Sequence, residues 1–432
     1  MQPTKETKPG SLQSILSRRN LLMGAGALAA AASVPEASGQ QIPPTGAPFG
    51  TIWLYISTYT SDKPSAFGSN GKGIYLCELN LFTGSLTVLR LVASVAATPP
   101  TSLASPSTIA LDTNRTHLYA GNEFGPPGAV SAYSINRLTG DLTVLNTQPT
   151  LGAPAHVSVD QSSRYLFSAE YSGGHFEAFP IRKDGSLGPA VFDKSDPHNN
   201  GEQHAANAPP GSFAISAHEV GGTGHPHMME ADPSNQWVLG ADAGQDRIYI
   251  WKLTPGAIPP LTPATPAFVH VPQDTPHSGD GPRHFAFHPN GRWMYSIQEE
   301  ASTIIFWIFD PGTGVLTQQQ QVSSLPPGFV GTDFTSEIRV SPDGRFVYGA
   351  NRTNDTITVF SIQPDGFLNQ VSYASTLGDY PRIFTIDPFG LFAVCGNQRA
   401  DNVTTFRISG GQLIFTGDYT GIGSPSGMVF LY

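Results

Sequence analysis

One short motif recurs along this chain and limits its fold more than any other feature. It is Pro-x-x-hydrophobic at the head of a strand-like run. The copies read SPSTIALD at Pro106, APAHVSVD at Pro154, HPHMMEAD at Pro226, GPRHFAFH at Pro282, YPRIFTID at Pro381 and SPSGMVFL at Pro425. TSEIRVSP, beginning at Thr335, is a further copy without the proline. The six steps from Pro106 to Pro425 average about 53 residues, a period that marks propellers or solenoids.

Each copy carries more than its opening. A second strand follows about ten residues on (HLYAGNE, YLFSAEY, WVLGADA, WMYSIQE, FVYGANR, LFAVCGN), across turns such as Pro-Asn-Gly and Pro-Asp-Gly. Third strands such as VSAYSI and IIFWIF come next, and then a Gly-rich turn and a fourth strand. Four short strands per unit describe a propeller blade. The N-terminal runs TIWLYIST, GIYLCEL and FTGSLTVL supply three strands without a first, and SPSGMVFL at the C-terminus supplies a first strand alone. The expected fold is therefore all-β: a seven-bladed β-propeller of four-stranded blades, its ring closed by N- and C-terminal strands that share one blade. The half-blades argue against an open solenoid.

The remaining signals divide the chain into residues 1–39, 40–50 and 51–432. Ser17-Arg18-Arg19-Asn20-Leu21-Leu22 precedes a short Ala/Gly/Leu run, the pattern of a twin-arginine export signal. The run is too short to span a bilayer, so cleavage and a periplasmic or secreted product are expected, with no membrane attachment afterwards. Residues 40–50 read as a Pro-rich linker. The 46 Gly and 38 Pro suit many tight turns. A net charge of −10 with no basic stripe excludes nucleic-acid binding. Cys77 and Cys395 fall on core-patterned strands of neighbouring blades and are expected to be two separately buried thiols.

In a propeller the starts of first strands ring one channel mouth, and the ends of second strands return to it. The starts supply Ser107, His156, His227, Arg283-His284, Glu337, Arg382 and Ser426; the ends supply Glu123, Tyr171, Asp242, Glu299, Arg352 and Gln398. Positions that serve only the repeat should look alike from copy to copy, and these differ. There is no Gly-x-Ser-x-Gly and no phosphate loop. Arginines suit a carboxylate or other oxyanion, and His and Glu can move protons. The set suits an acidic small molecule undergoing proton-coupled ring opening or closure, as in lactone chemistry. The competing structural reading pairs Arg283 with Glu299, and Arg352 or Arg382 with Glu337, as channel salt bridges. His284 and His288 could serve backbone groups, and Trp237 and Trp293 read as core. Residues 191–224 hold His198, His204 and His218 at spacings that fit no compact metal motif, so a lid is preferred there over a metal site.

From about Ile52 to the C-terminus the chain resembles the seven-bladed propeller lactonases, a family that includes 6-phosphogluconolactonase and carboxymuconate lactonizing enzymes. The resemblance rests on YISTYTS, GNE, His-Pro-His-Met, GPRHFAFHPNG…YSIQE, SPDGRFVYGANR and YPRIFTIDPFG. It implies a catalytic set on His227, Arg283, Glu299 and Arg352, with His156, Glu337, Arg382 and Gln398 as substrate contacts and His156 as a second candidate histidine. It implies no metal and no cofactor. The expected function is an exported, monomeric hydrolase of a sugar or other acidic lactone. The alternatives are a carboxymuconate-type cycloisomerase and a non-catalytic propeller that binds a ligand or partner.

Overall fold

The computed structural model describes residues 45–60, 69–94, 104–123, 127–195, 224–271, 280–331 and 333–432. The leader, residues 40–44 of the linker and most of the 191–224 segment, with its histidines at 198, 204 and 218, lie outside the described residues.

Period-2 alternation makes every strand two-faced, and the inner three strands of each blade bury most of both faces while the outer strands stay half exposed. The strands form seven four-stranded antiparallel sheets. Six are sequential. In the seventh, Pro425–Leu431 lies innermost and pairs with Thr51–Thr58, which continues to Gly73–Asn80 and Leu86–Ser94. This blade is numbered 1, and blades 2 to 7 have the inner strands Pro106–Leu111, Ala153–Val159, Pro226–Ala231, Pro282–Phe287, Thr335–Val340 and Pro381–Ile386. The sequence expectation of a ring closed by both ends holds.

Seven apolar clusters hold the ring, one at each interface between neighbouring blades. The strand Thr51–Thr58 shows the pattern. Ile52, Leu54 and Ile56 pack with Phe392 and Val394 of blade 7, whereas Trp53 and Tyr55 pack with Leu118 and Tyr133 of blade 2. Cys77 lies in the core between blades 7 and 1, and Cys395 in the core between blades 6 and 7; both are free and buried. Trp237 is buried between blades 4 and 5, and Trp293 packs against the core between blades 5 and 6, as their patterning predicts. His288 donates from Nε2 to the Gly344 carbonyl at 2.9 Å and accepts at Nδ1 from the Asn290 amide, a backbone role.

One feature of the ladders aims side chains at the channel. In every blade the register slips just after the strand-opening residue. Pro226 pairs with Asp242 and Met228 with Ala241, so His227 stands outside the ladder; Arg283, Arg382, Ser107, Ala155 and Ser426 do the same in their blades. In blade 6 Ser336 and Glu337 lie between the pairs Thr335–Asn351 and Ile338–Gly349. Such bulges turn a side chain away from the sheet and recur at functional sites.

Blade 3 departs from its neighbours in a way that makes its stability pH-dependent. In blades 2, 6 and 7 the second strand ends in Asn122, Asn351 or Asn397, whose amide donates to Ser131, Thr358 or Thr404 on the third strand at 2.9, 3.1 and 3.2 Å. The corresponding pair in blade 3 is Glu170 and Glu177, both buried. Their carboxylates accept from the Gly152 and Leu151 amides. Burial, then the hydrogen bond and charge of Glu177, push the Glu170 carboxyl up to about 10, so it keeps its proton at neutral pH. A raised folded pKa gives stability that is fully present below the unfolded value of about 4.5 and is lost as pH climbs toward 10. Glu170→Gln supplies a permanent donor. Between pH 6 and 9 the wild-type melting temperature should fall about 3 °C further than that of Glu170→Gln. Parallel curves for the two proteins would contradict the shared proton.

Candidate active site

Three rings of residues build the mouth. The first is the bulged ring just described. The second is Tyr59, Glu123, Ala243, Glu299, Arg352 and Gln398, each just after the last residue of its second strand, with Tyr171 near the end of the strand Tyr165–Ser172 in blade 3. A repeated backbone bond fixes this second ring. The amides of Tyr59, Glu123, Ala243, Glu299, Arg352 and Gln398 donate at 2.7–3.0 Å to the carbonyl of the residue just before the inner strand. Those acceptors form the third ring: Ser424, Ser105, His225, Gly281, Phe334 and Tyr380.

The chemistry concentrates on blades 4 to 7. Glu299 is gripped by two guanidiniums: Arg352 Nη2 donates to Oε1, and Arg283 Nε lies 3.4 Å from Oε2. Arg352 is committed on every nitrogen. Its Nε donates to the Phe334 carbonyl at 3.2 Å and its Nη1 to the Tyr380 hydroxyl at 3.2 Å. Arg283 also donates from Nη1 to the Ser336 carbonyl. The side chains of Arg283 and Arg352 are almost wholly buried, at 2% and 4% exposure. The Arg283–Glu299 pairing weighed from sequence is therefore real. The alternative of Arg352 or Arg382 with Glu337 is not: Glu337 sits 3.3 Å from His284 Nδ1 and 3.5 Å from Arg339 Nε.

Arg382 differs from the other two. Its guanidinium lies 5.0 Å over the Tyr59 ring and makes no hydrogen bond or ion pair among the described residues. Tyr59 is itself fixed by a 2.6 Å hydrogen bond to Glu123.

Burial and charge set the protonation states. Burial raises the Glu299 carboxyl, but Arg352 and Arg283 outweigh it and hold the group below the usual carboxylate range. Burial, with Arg283 and His284 beside it, drives His227 well below the usual imidazole value, so it is neutral at pH 7. Burial lowers His284 to about 4 and His156 to about 3. Glu337 falls to about 2, because Arg339 and His284 overcome its burial. Burial and the neighbouring Arg352 bring Arg283 down to about 10, still cationic at neutral pH.

The two candidate histidines occupy different depths. His227 shares the bulged ring with Arg283, its imidazole 5.6 Å from Tyr171 and 5.0 Å from His284. His156 lies one residue further along its strand, with its ring 5.4 Å from His284. A cavity of about 390 Å³ occupies the channel, lined in part by His156, Glu230, Arg283, His284, Glu337 and Arg382. Glu299, Arg352 and His227 do not line it, so the ion-paired cluster stands at its rim. Gln398 is buried in the second ring of blade 7, its amide on the Tyr380 carbonyl. Among the described residues no cluster of His, Cys, Asp and Glu is arranged to hold a metal ion.

The family model for the seven-bladed β-propeller lactonases matches residues 53–430. The chain belongs to this lactonase family. A 6-phosphogluconolactonase of Bacillus subtilis (strain 168) is 32% identical over 358 residues, covering 82% of this chain and 90% of its own. The 6-phosphogluconolactonase of Serratia proteamaculans (strain 568) is 31% identical over 326 residues, covering 75% and 85%. Among solved structures, a putative 6-phosphogluconolactonase from Bacteroides fragilis aligns with a TM-score of 0.74 at 27% identity, over 89% of this chain and 99% of its own. The Pseudomonas aeruginosa periplasmic gluconolactonase PpgL gives 0.75 at 27% identity, over 88% and 99%.

In this lactonase-family enzyme the sequence singled out Arg283, Glu299 and Arg352, and the fold brings them together. Comparing strand starts and ends missed Tyr59, His225, Phe334 and Tyr380. A comparison of the residue before each inner strand would have found the last three. That position is Ser424, Ser105 or Gly281 in blades 1, 2 and 5, but His225, Phe334 and Tyr380 in blades 4, 6 and 7.

Proposed function

We propose that this chain hydrolyses a lactone bearing an anionic group, by attack of water at the channel mouth. One observation carries the reading. His227 Nδ1 is a buried polar atom without a hydrogen-bond partner among the described residues, and beside it Arg283 Nε and Glu299 Oε2 face each other at 3.4 Å as an ion pair without hydrogen-bond geometry. Buried polar atoms are nearly always hydrogen-bonded, so an unpartnered imidazole nitrogen beside a buried ion pair that lacks hydrogen-bond geometry suits a polar ligand. Glu299 Oε2 would accept a proton from water as its oxygen attacks the lactone carbonyl. Arg283 would bind the oxyanion that forms on the carbonyl oxygen. As the ring C–O bond breaks, Glu299 would return the proton to the departing alkoxide, giving a hydroxy acid. Neutral His227 would hydrogen-bond the reacting group. Arg382, free of ion pairs and backed by Tyr59, would take the substrate's carboxylate or phosphate. His156, Glu337 and Gln398 would shape the remaining contacts.

The purified mature protein on a panel of sugar and acidic lactones, followed with a pH indicator, tests this. Acid release is expected. Loss of muconate absorbance without acid release would instead point to cyclisation, and no turnover of either kind to a binding role. A periplasmic or secreted monomer is part of the reading, supported by the twin-arginine pattern at Arg18-Arg19 and the periplasmic neighbour. Cell fractionation with N-terminal sequencing checks it; an uncleaved cytoplasmic chain would contradict it.

A further inference from the structure

Tyr380 stands at a position that is serine or glycine in the three other blades where it is left-handed. The position before the inner strand is left-handed in four blades: φ is 44° at Ser424, 51° at Ser105, 67° at Gly281 and 66° at Tyr380. Serine and glycine serve the turn at the first three, so the turn does not call for an aromatic ring. A bulky side chain in this region is strained. Strain of this kind clusters at functional sites.

The contacts of Tyr380 say what the ring does. It is buried, at 5% exposure. Its hydroxyl accepts from Arg352 Nη1 at 3.2 Å, and the Arg352 guanidinium carbon lies 5.1 Å from the ring centroid. Arg399 stacks on the same ring at 3.9 Å. Its backbone is pinned at both ends, the amide donating to Asp355 Oδ1 at 2.9 Å and the carbonyl accepting from Gln398. Phe334, from the same ring of blade 6, lies 5.8 Å from the Arg352 guanidinium carbon. Arg352 has several rotatable bonds, and besides the Phe334 carbonyl and Glu299 itself the Tyr380 hydroxyl is its third anchor. Tyr380 completes that anchoring, and Arg352 in turn fixes Glu299 through Oε1.

We propose that Tyr380 is a positioning residue, holding the Arg352 guanidinium and through it the Glu299 carboxylate in register for the reaction. The inference rests on reading Glu299 and Arg352 as the reaction centre. Two variants test it. Tyr380→Phe removes one oxygen, and Tyr380→Ser restores the residue that blades 1 and 2 carry at the same φ. Tyr380→Phe should melt near wild type; Tyr380→Ser, which removes a buried ring, should melt lower but still cooperatively, so turnover is read per folded molecule. On a lactone substrate kcat should fall about tenfold for Tyr380→Phe and about 100-fold for Tyr380→Ser, with KM little changed, because misplacement of a catalytic group costs rate on this scale. A second readout needs no substrate. The charged groups acting on Glu299 are Arg352, Arg283 and Arg382. Loosening the first should raise the Glu299 titration midpoint, read by carbon-13 carboxyl NMR and assigned by its loss in Glu299→Gln. Wild-type kcat in both variants with an unmoved midpoint overturns the proposal, as does a large stability loss in Tyr380→Ser with kcat intact. If the wild type turns over no lactone, the proposed reaction fails, and the carboxyl titration by itself decides whether Tyr380 holds the pair.

Discussion

Glu299→Gln should lower turnover by about 10²–10⁴-fold, the usual loss when a proton-transferring group is removed. It should also destabilise the protein. Glu299 is the counter-charge for two buried guanidiniums, and breaking a buried pair by removing one partner costs about 3–5 kcal/mol. From sequence alone catalysis and a structural salt bridge stand as alternatives. The structure shows the buried ion pair and the proposed mechanism uses the same carboxylate, so activity must be measured per folded molecule, well below the melting transition. The pH profile adds an independent reading. The proposed mechanism uses Glu299 and His227 in their deprotonated forms, and both groups lie below their ordinary values of 4.5 and 6.5. Wild-type kcat/KM should therefore stay level from pH 8 down to about 5. An acidic limb centred near 6.5 would mean that His227 titrates normally, against the burial seen here. Full turnover in folded Glu299→Gln would remove the carboxylate from the mechanism.

Deleting residues 424–432 should abolish folding. The strand Pro425–Leu431 is the inner strand of blade 1, and its side chains belong to two interface cores. Met428 and Phe430 pack between blades 7 and 1, and Leu431 between blades 1 and 2. Losing large buried side chains costs about 2–5 kcal/mol each. Three such losses are comparable with the 5–15 kcal/mol of net stability typical of a domain. The deletion also leaves the Thr51–Thr58 strand unpaired on one side and opens the ring. Far-UV circular dichroism and a thermal melt check this. A truncated chain that melts cooperatively near the wild-type temperature would show that closure is dispensable.

The blades were legible because each strand repeats its own local chemistry: an opening proline, period-2 alternation and a Gly-bearing turn. The ring positions of Arg283, Glu299 and Arg352 were legible for a related reason, since a polar residue at a repeat position that varies stands out against its copies. Partner choice was not legible. Arg352 meets Glu299 across 53 residues of sequence, whereas Glu337 turns to His284 and Arg339. Which of two neighbours a long side chain reaches depends on the bulge that tilts it and on the aromatic ring beside it. Neither follows from alternation. Tyr380 escaped for a different reason: it precedes the motif and so falls outside the strand that the motif announces.

The residue left out of each ladder has a consequence for how such a molecule can change. It forms no cross-strand pair, so the hairpin below it closes whatever side chain stands there. Within this one chain the slot accepts Ser107, Ala155, His227, Arg283 and Arg382. The mouth is thus a manifold of seven sockets carried on a frame whose cohesion lies elsewhere, between the blades. Refilling a socket that holds no ion pair, such as those of Ser107, Ala155 and Ser426, is a single-codon event that leaves every interface core untouched. The quiet half of the mouth, on blades 1 to 3, is where an altered ligand preference can be installed without disturbing the charged half.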